Sequence, residues 1–143
     1  MSKRLIRNER GAALIETAIT IPIVLLIAVG IFEFGRAYQT WQVLTNAARE
    51  GARVAILADA TDDRVTTAVQ AYMTSGRLSN AASAQISINR NVPLTVGSAS
   101  QITVSYPFSF IVLNPVARLV VSGTNTGSAA LTMQSVALMR NEN

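Results

Sequence analysis

Few side chains in this chain could carry out chemistry. Histidine and cysteine are both absent from its 143 residues. Their absence excludes imidazole general bases, Ser-His-Asp triads, thiolate nucleophiles and thiolate zinc sites. No Ser-x-x-Lys pair and no G-x-S-x-G elbow supplies another activated nucleophile. We therefore expect no catalytic residue, no cofactor and a protein that is not an enzyme.

Two acidic features remain. Asp59, Asp62 and Asp63 could suggest a cation site, because calcium takes several oxygen ligands. Their spacing matches no loop template, so we expect no metal, and Asp62 is predicted to cap a helix instead. The second feature is Glu16, which lies in an apolar run where an ionised carboxylate is costly and usually has a partner. The alternative is that Glu16 lies at the level of the lipid headgroups and is solvated.

The element that must position Glu16 is a long apolar segment. Residues 17–32 carry no charge, and the apolar character extends over the 23 residues from Ala12 to Phe34. A helix of that length spans roughly 34 Å, and the apolar core of a bilayer is about 30 Å thick. We predict a transmembrane helix over 12–35. Pro22 is expected to kink it, or at the least to curve it.

Charge is distributed unevenly on the two sides of this segment. Residues 1–11 hold four basic groups and one acidic group, whereas the remaining 132 residues carry a net charge of only +1. The asymmetry predicts a single pass with the N-terminus in the cytoplasm and the C-terminal domain exported. It also predicts no nucleic-acid binding, because the exported part lacks a basic surface. A secretory signal cleaved near Ala28–Gly30 is the competing interpretation, although the apolar run exceeds the usual length.

The helical pattern continues beyond the membrane segment. Apolar residues recur at three- and four-residue steps from Tyr38 to Ala55, which predicts a helix over 36–57. Four small residues share one face of it, and we expect that face to receive the sheet of the same subunit: Ala47, Ala48, Gly51 and Ala52. Trp41 lies just outside the span, where it fits either the membrane interface or the core of the domain.

The remainder of the chain predicts a small α+β domain over 36–143. A second helix is expected over 62–76, with Gly76 as its stop. From residue 84 the apolar period changes to two, which predicts half-buried antiparallel strands over 84–140, with turns at 91–93 and 97–98. Residues 108–121 are apolar and fit either a strand or a short helix. We expect four of their side chains to lie in the core rather than on a partner surface: Phe108, Phe110, Ile111 and Val112.

Several blocks of the sequence together resemble a known family. Residues 10–16 read R-G-A-A-L-I-E, which is similar to the processing site of type IV prepilins, although Thr17 stands where an aromatic residue is common. E-F-G-R follows at 33–36 and N-A-A-R-E-G-A-R at 46–53, with V-S-Y-P-F at 104–108 and M-R-N-E at 139–142. The combination resembles the TadE-like proteins, which are minor pilins or pseudopilins of tight-adherence (Flp, type IVc) pilus systems.

The resemblance implies a pilin-like α+β fold and a non-enzymatic role in pilus assembly. It places a prepilin peptidase cut between Gly11 and Ala12, so that 1–11 form a leader, and it gives Glu16 a role in pairing subunits. The implied location is the inner membrane, with the domain in the periplasm or outside the cell. The implied partners are the peptidase, other minor pilins, the major Flp pilin, the assembly platform and the lipid bilayer. The alternative is a signal-anchored envelope protein whose exported domain is a binding module without a filament role.

Overall fold

Two helices and a three-stranded antiparallel sheet make up the described fold, which confirms the α+β prediction. In this computed structural model the described residues are 9–57, 59–112 and 131–141, with side chains from residue 11 onward. Helix α1 spans Glu9–Ala55 and helix α2 spans Asp62–Ser75, followed by a short 3-10 turn at Ala81–Ser83. The strands are β1 (Gln85–Pro93), β2 (Ser98–Phe108) and β3 (Leu131–Arg140).

Helix α1 joins the predicted membrane segment and the predicted domain helix in one uninterrupted element of 47 residues. At 1.5 Å per residue it is about 70 Å long. Its threonines hydrogen-bond to carbonyls four residues back, as Thr17 does to Ala13 O (2.7 Å) and Thr20 to Glu16 O (2.7 Å). These bonds leave the hydroxyls satisfied without water, which suits a helix in lipid.

The strands of the sheet are in the order β1-β2-β3. The central strand β2 packs against the second half of α1, the half nearer the C-terminus. Alternate residues of β2 point into the core, as the period of two predicts. Pro107 lies in this central strand but beyond Ser105, where the pairing with β1 stops, so it has a neighbouring strand on one side only.

The core lies between the second half of α1, helix α2 and the sheet. The small face predicted on α1 is confirmed: Ala47, Ala48 and Ala52 are fully buried. A Cβ on Gly51 would lie 2.5 Å from Val69 Cγ2 of α2 and 3.2 Å from Ile102 Cγ2 of β2. The small residues thus allow both α2 and the sheet to approach the helix backbone closely.

Three local predictions are wrong. Thr61, not Asp62, caps α2, because its hydroxyl accepts a hydrogen bond from the Arg64 N–H (3.3 Å). Residues 91–93 are not a turn but the end of β1, which continues past a bulge between Asn89 and Val92. Ser98 is not in a turn but begins β2, and the turn between β1 and β2 spans residues 94–97, with Gly97 at φ +84°.

Helix α2 ends at Ser75, with Gly76 as the predicted stop residue. The flexibility of glycine is not the reason that the helix ends there. Gly76 has an ordinary φ of −75°, and it is Arg77 that adopts the left-handed conformation, at φ +61°. The Arg77 N–H donates to Thr74 O and the Leu78 N–H to Met73 O, which is the Schellman pattern. Gly76 is required by packing instead, since a Cβ there would lie 2.5 Å from Val43 Cγ1 of α1.

Candidate functional site

The first half of α1 is apolar and uncovered. Within the described residues, one helix is long and apolar enough to cross a membrane, with a mean hydropathy of 2.4 over a stretch of which none is buried by the rest of the chain. Most of its bulky side chains are more than half exposed, among them Leu14, Ile19, Leu25 and Ile31. In water such a surface would be costly, whereas a bilayer would cover it.

The predicted processing residues lie at the start of this helix. Helix α1 begins at Glu9, so the Gly11–Ala12 bond lies within its first turn. Ala12 is exposed. The bond is therefore accessible from outside the chain, but a peptidase that needs an extended substrate would have to unwind the first turn.

Glu16 and Pro22 both lie on the exposed part of α1. The Glu16 side chain is exposed, and no ion pair links it to another side chain in the part of the chain that the structure describes. Its carboxylate is thus available to a group on another molecule. Pro22 lies inside the helix, which continues on both sides of it. The kink predicted there stays a prediction.

A second acid on the same helix, Glu33, is buried, whereas Glu16 is exposed. Glu33 is completely buried, although its neighbours Phe32 and Phe34 are 61% and 67% exposed. What covers it is the segment that follows β2. Its Oε1 accepts a hydrogen bond from the Val112 N–H at 2.6 Å. Its Oε2 accepts one from Arg36 Nη2 at 3.0 Å.

Arg36 completes this junction. Besides pairing with Glu33, its guanidinium donates to the carbonyl of Ser109 and lies 4.6 Å from the centre of the Phe108 ring. A cation over an aromatic face is attractive. Phe110 extends the cluster, with its ring 5.2 Å from that of Phe108 and 6.5 Å from that of Phe34. Glu33, Phe34, Arg36 and residues 108–112 together form the neck cluster, where the domain meets the apolar half of α1.

The neck cluster corrects part of the prediction for residues 108–121. Phe108 is in the core as expected, at 2% exposed. Phe110 is half-buried, and Ile111 and Val112 are exposed rather than in the core. Residues 113–121, for which a strand or a short helix was predicted, lie outside the described residues.

Sequence reasoning missed Glu33 as a site residue. The available signal was an acid inside the apolar stretch, three residues before an arginine, which places both on one face of a helix. Trp41, by contrast, is about half exposed and lies beside Tyr38 with ring centres 6.2 Å apart. It does not pack in the core, which leaves the interfacial interpretation.

The aspartates considered as a cation site face different partners. Asp59 pairs with Arg64 (2.5 Å) and Asp62 with Arg90 (2.8 Å). Arg90 also donates to the carbonyl of Ala55, so this arginine links β1 both to the start of α2 and to the end of α1. Over residues 9–57, 59–112 and 131–141 no three acidic side chains come together that could hold a metal ion.

An exposed apolar helix that carries a small α+β domain at its far end is the architecture of a membrane-anchored protein. The family model described as TadE-like protein matches residues 11–53, so that this segment, less than a third of the chain, is similar to TadE-like proteins. The match confirms the resemblance for the blocks from Gly11 to Arg53, and it associates the chain with Tad pilus systems. The blocks at 104–108 and 139–142 lie outside it. No curated protein and no solved structure matches the chain.

Proposed function

We propose that this chain is a non-enzymatic minor pilin or pseudopilin of a tight-adherence (Flp, type IVc) pilus system. The observation that carries the proposal is the coincidence of the TadE-like match, over 11–53, with the uncovered apolar helix. Both begin at Gly11 and so take in all but the first residue of the prepilin-type sequence R-G-A-A-L-I-E at residues 10–16. A helix with this surface would hold the protein in the inner membrane until it joins an assembly.

The chain would cross the membrane once, with residues 1–11 in the cytoplasm and the domain on the periplasmic side. The four basic residues of the leader support this orientation. Prepilin peptidase would cut between Gly11 and Ala12 and release a new amino group four residues before Glu16. The exposed carboxylate of Glu16 would then pair with the new N-terminus of a neighbouring pilin. Such a pair adds little net stability but sets the register of the two helices.

The test is the intact mass and N-terminal residue of the protein from its native host, with and without the prepilin peptidase. We expect an N-terminus at Ala12 that depends on the peptidase. Gly11→Leu should block this cut, whereas Gly30→Leu, which makes the same change farther along the helix, should not. An unprocessed N-terminus in the presence of peptidase would instead support a signal-anchored binding protein, and a start near Ile31 would mean ordinary signal cleavage.

The pairing role of Glu16 has a separate test. Glu16→Ala should still insert into the membrane and be cut, but it should fail to enter the assembly, as measured by co-purification with the other pilins. Glu50→Ala, which removes an acid from the domain half of the same helix, is the matched control and should assemble normally. Normal piliation in the Glu16 variant would contradict the pairing role.

A further inference from the structure

The neck cluster places part of the exported domain at the level of the membrane. Phe34 belongs to the predicted span of 12–35, and the ring of Phe110 lies against it at 6.5 Å. The Val112 N–H is 2.6 Å from the carboxylate of Glu33, which also belongs to that span. Residues 110–112 therefore cannot lie well above the bilayer if the helix crosses it as far as residue 35.

The exposed side chains of this segment suit that depth. Ile111 is 60% exposed, and the residue before it, Phe110, lies against Phe34 of the uncovered apolar surface of α1. The only charged groups of the neck cluster, Glu33 and Arg36, are paired with each other at 3.0 Å. The outer surface of the cluster is thus largely apolar, with the Glu33 carboxylate buried beneath it and the Arg36 side chain 29% exposed.

We infer that residues 109–112 form a second membrane contact, a short loop of the domain that rests in the interfacial layer of the bilayer beside the transmembrane helix. The inference rests on the proposed membrane anchoring by α1. We assign lipid rather than another protein as the partner of this loop, because the loop is continuous with a surface that lipid would already cover. Aromatic residues are favoured at this depth, and an arginine there can keep its guanidinium toward the headgroups.

The loop also explains how an acid is accommodated at the end of an apolar span. An ionised carboxylate facing lipid is costly. Here the loop covers Glu33 completely and supplies the Val112 N–H, while Arg36 supplies the countercharge. The hydrogen bonds from the Val112 N–H to Glu33 and from Arg36 to the Ser109 carbonyl would fix the height and tilt of the domain relative to the bilayer, since they tie the segment after β2 to the helix at the membrane surface.

The experiment measures the depth of single tryptophans in the full-length protein, reconstituted in vesicles of phosphatidylethanolamine and phosphatidylglycerol. Trp41→Phe first removes the chain's one native tryptophan. Ile111→Trp then probes the loop, and Val96→Trp, at a residue that is 68% exposed in the β1–β2 turn, is the matched control. That turn is at the other end of β2, about 33 Å from the loop. Ile27→Trp, within the span, reports insertion of the helix itself.

We expect lipids brominated near the headgroup to quench the probe at position 111 several-fold more strongly than the probe at position 96, with its emission shifted to shorter wavelength. Equal, weak quenching at 111 and 96, with strong quenching at 27 by lipids brominated deep in the acyl chains, would overturn the inference and leave the anchoring intact. An unquenched but blue-shifted probe at 111 would also overturn it, since a second protein would then cover the loop. Absence of quenching at 27 would refute the anchoring itself, and the loop contact with it.

Discussion

The two halves of helix α1 share one backbone but have opposite surroundings. From Leu14 to Phe32 the helix presents bulky apolar side chains, most of which stay more than half exposed within the part of the chain that the structure describes. From Leu44 to Ala55 its apolar residues are mostly small, and they are buried under α2 and the sheet. Bulky side chains suit a fluid solvent such as lipid, whereas small ones are needed where another protein element approaches the backbone closely. Residue size along one helix thus distinguishes lipid from protein as the neighbour.

The largest effect that tests this contrast is expected from the glycines of α1. Gly51→Leu should destabilise the domain by about 3 kcal/mol or more, because Val69 and Ile102 leave no room even for a Cβ. Gly30→Leu is the same change in the other half, where nothing lies within 4 Å of the added Cβ, and it should leave stability unchanged. Thermal unfolding in detergent micelles measures both. Equal losses would contradict the contrast between the halves.

The next effect compares two Glu–Arg pairs with the same i,i+3 spacing. Glu33 is buried and bonds to Arg36 and Val112, whereas Glu50 bonds to Arg53 on the surface. Glu33→Ala should cost about 2–3 kcal/mol and release residues 109–112, because hydrogen bonds to a buried charged group are the stronger kind. Glu50→Ala should cost only a few tenths of a kcal/mol.

Hydrogen exchange of the Val112 amide provides the specific measurement for that comparison. The amide should exchange much faster in Glu33→Ala than in the wild type, and it should be unaffected in Glu50→Ala. If its protection persisted in Glu33→Ala, the carboxylate would not be what holds the loop, whatever the change in stability.

These two comparisons show which features the sequence could reveal. The apolar run and the three- and four-residue spacing of small residues are local patterns, so the uncovered span and the small face could both be predicted. The alternation along β2 and β3 is equally local and predicted the sheet. Each of these patterns can be recognised from residues that lie within about one turn of a helix or within one strand.

What could not be predicted depends on contacts between distant residues. Glu33 is buried by Val112, 79 residues later in the chain, and nothing in the sequence around Glu33 specifies that meeting. Ile111 and Val112 are as apolar as core residues, and only their position beside the span leaves them uncovered. Glu16 and Glu33 therefore look alike in sequence, as acids in an apolar run, although one is exposed and the other fully buried.

A smaller effect is expected at the end of α2, where a residue with a side chain adopts the conformation that glycine prefers. Arg77→Gly should stabilise the domain by about 0.5–1 kcal/mol, because it relieves the left-handed φ of +61°. Gly97→Ala makes the reverse change at φ +84°, where the nearest atoms are 3.7 Å away, and should cost about 1 kcal/mol from the backbone alone. Denaturant midpoints would show the opposite signs. A loss in Arg77→Gly would mean that the arginine side chain contributes more than its backbone strain costs.

The smallest effect is the pH dependence of the exposed pair. Two hydrogen bonds from Arg53, at 2.6 and 2.9 Å, hold the pKa of Glu50 below its ordinary value of 4.5. The folded state therefore favours the carboxylate, so its contribution is fully present at neutral pH and disappears as the pH falls below 4.5 through the lowered pKa. Glu50→Gln should be less stable than the wild type by a few tenths of a kcal/mol at neutral pH, and the difference should vanish in acid. Since the pair is solvent-exposed, high salt at neutral pH should shrink the difference as well. A difference that persisted in acid and in high salt would show that Glu50 acts through packing, as residues of the buried half of α1 do, rather than through its charge.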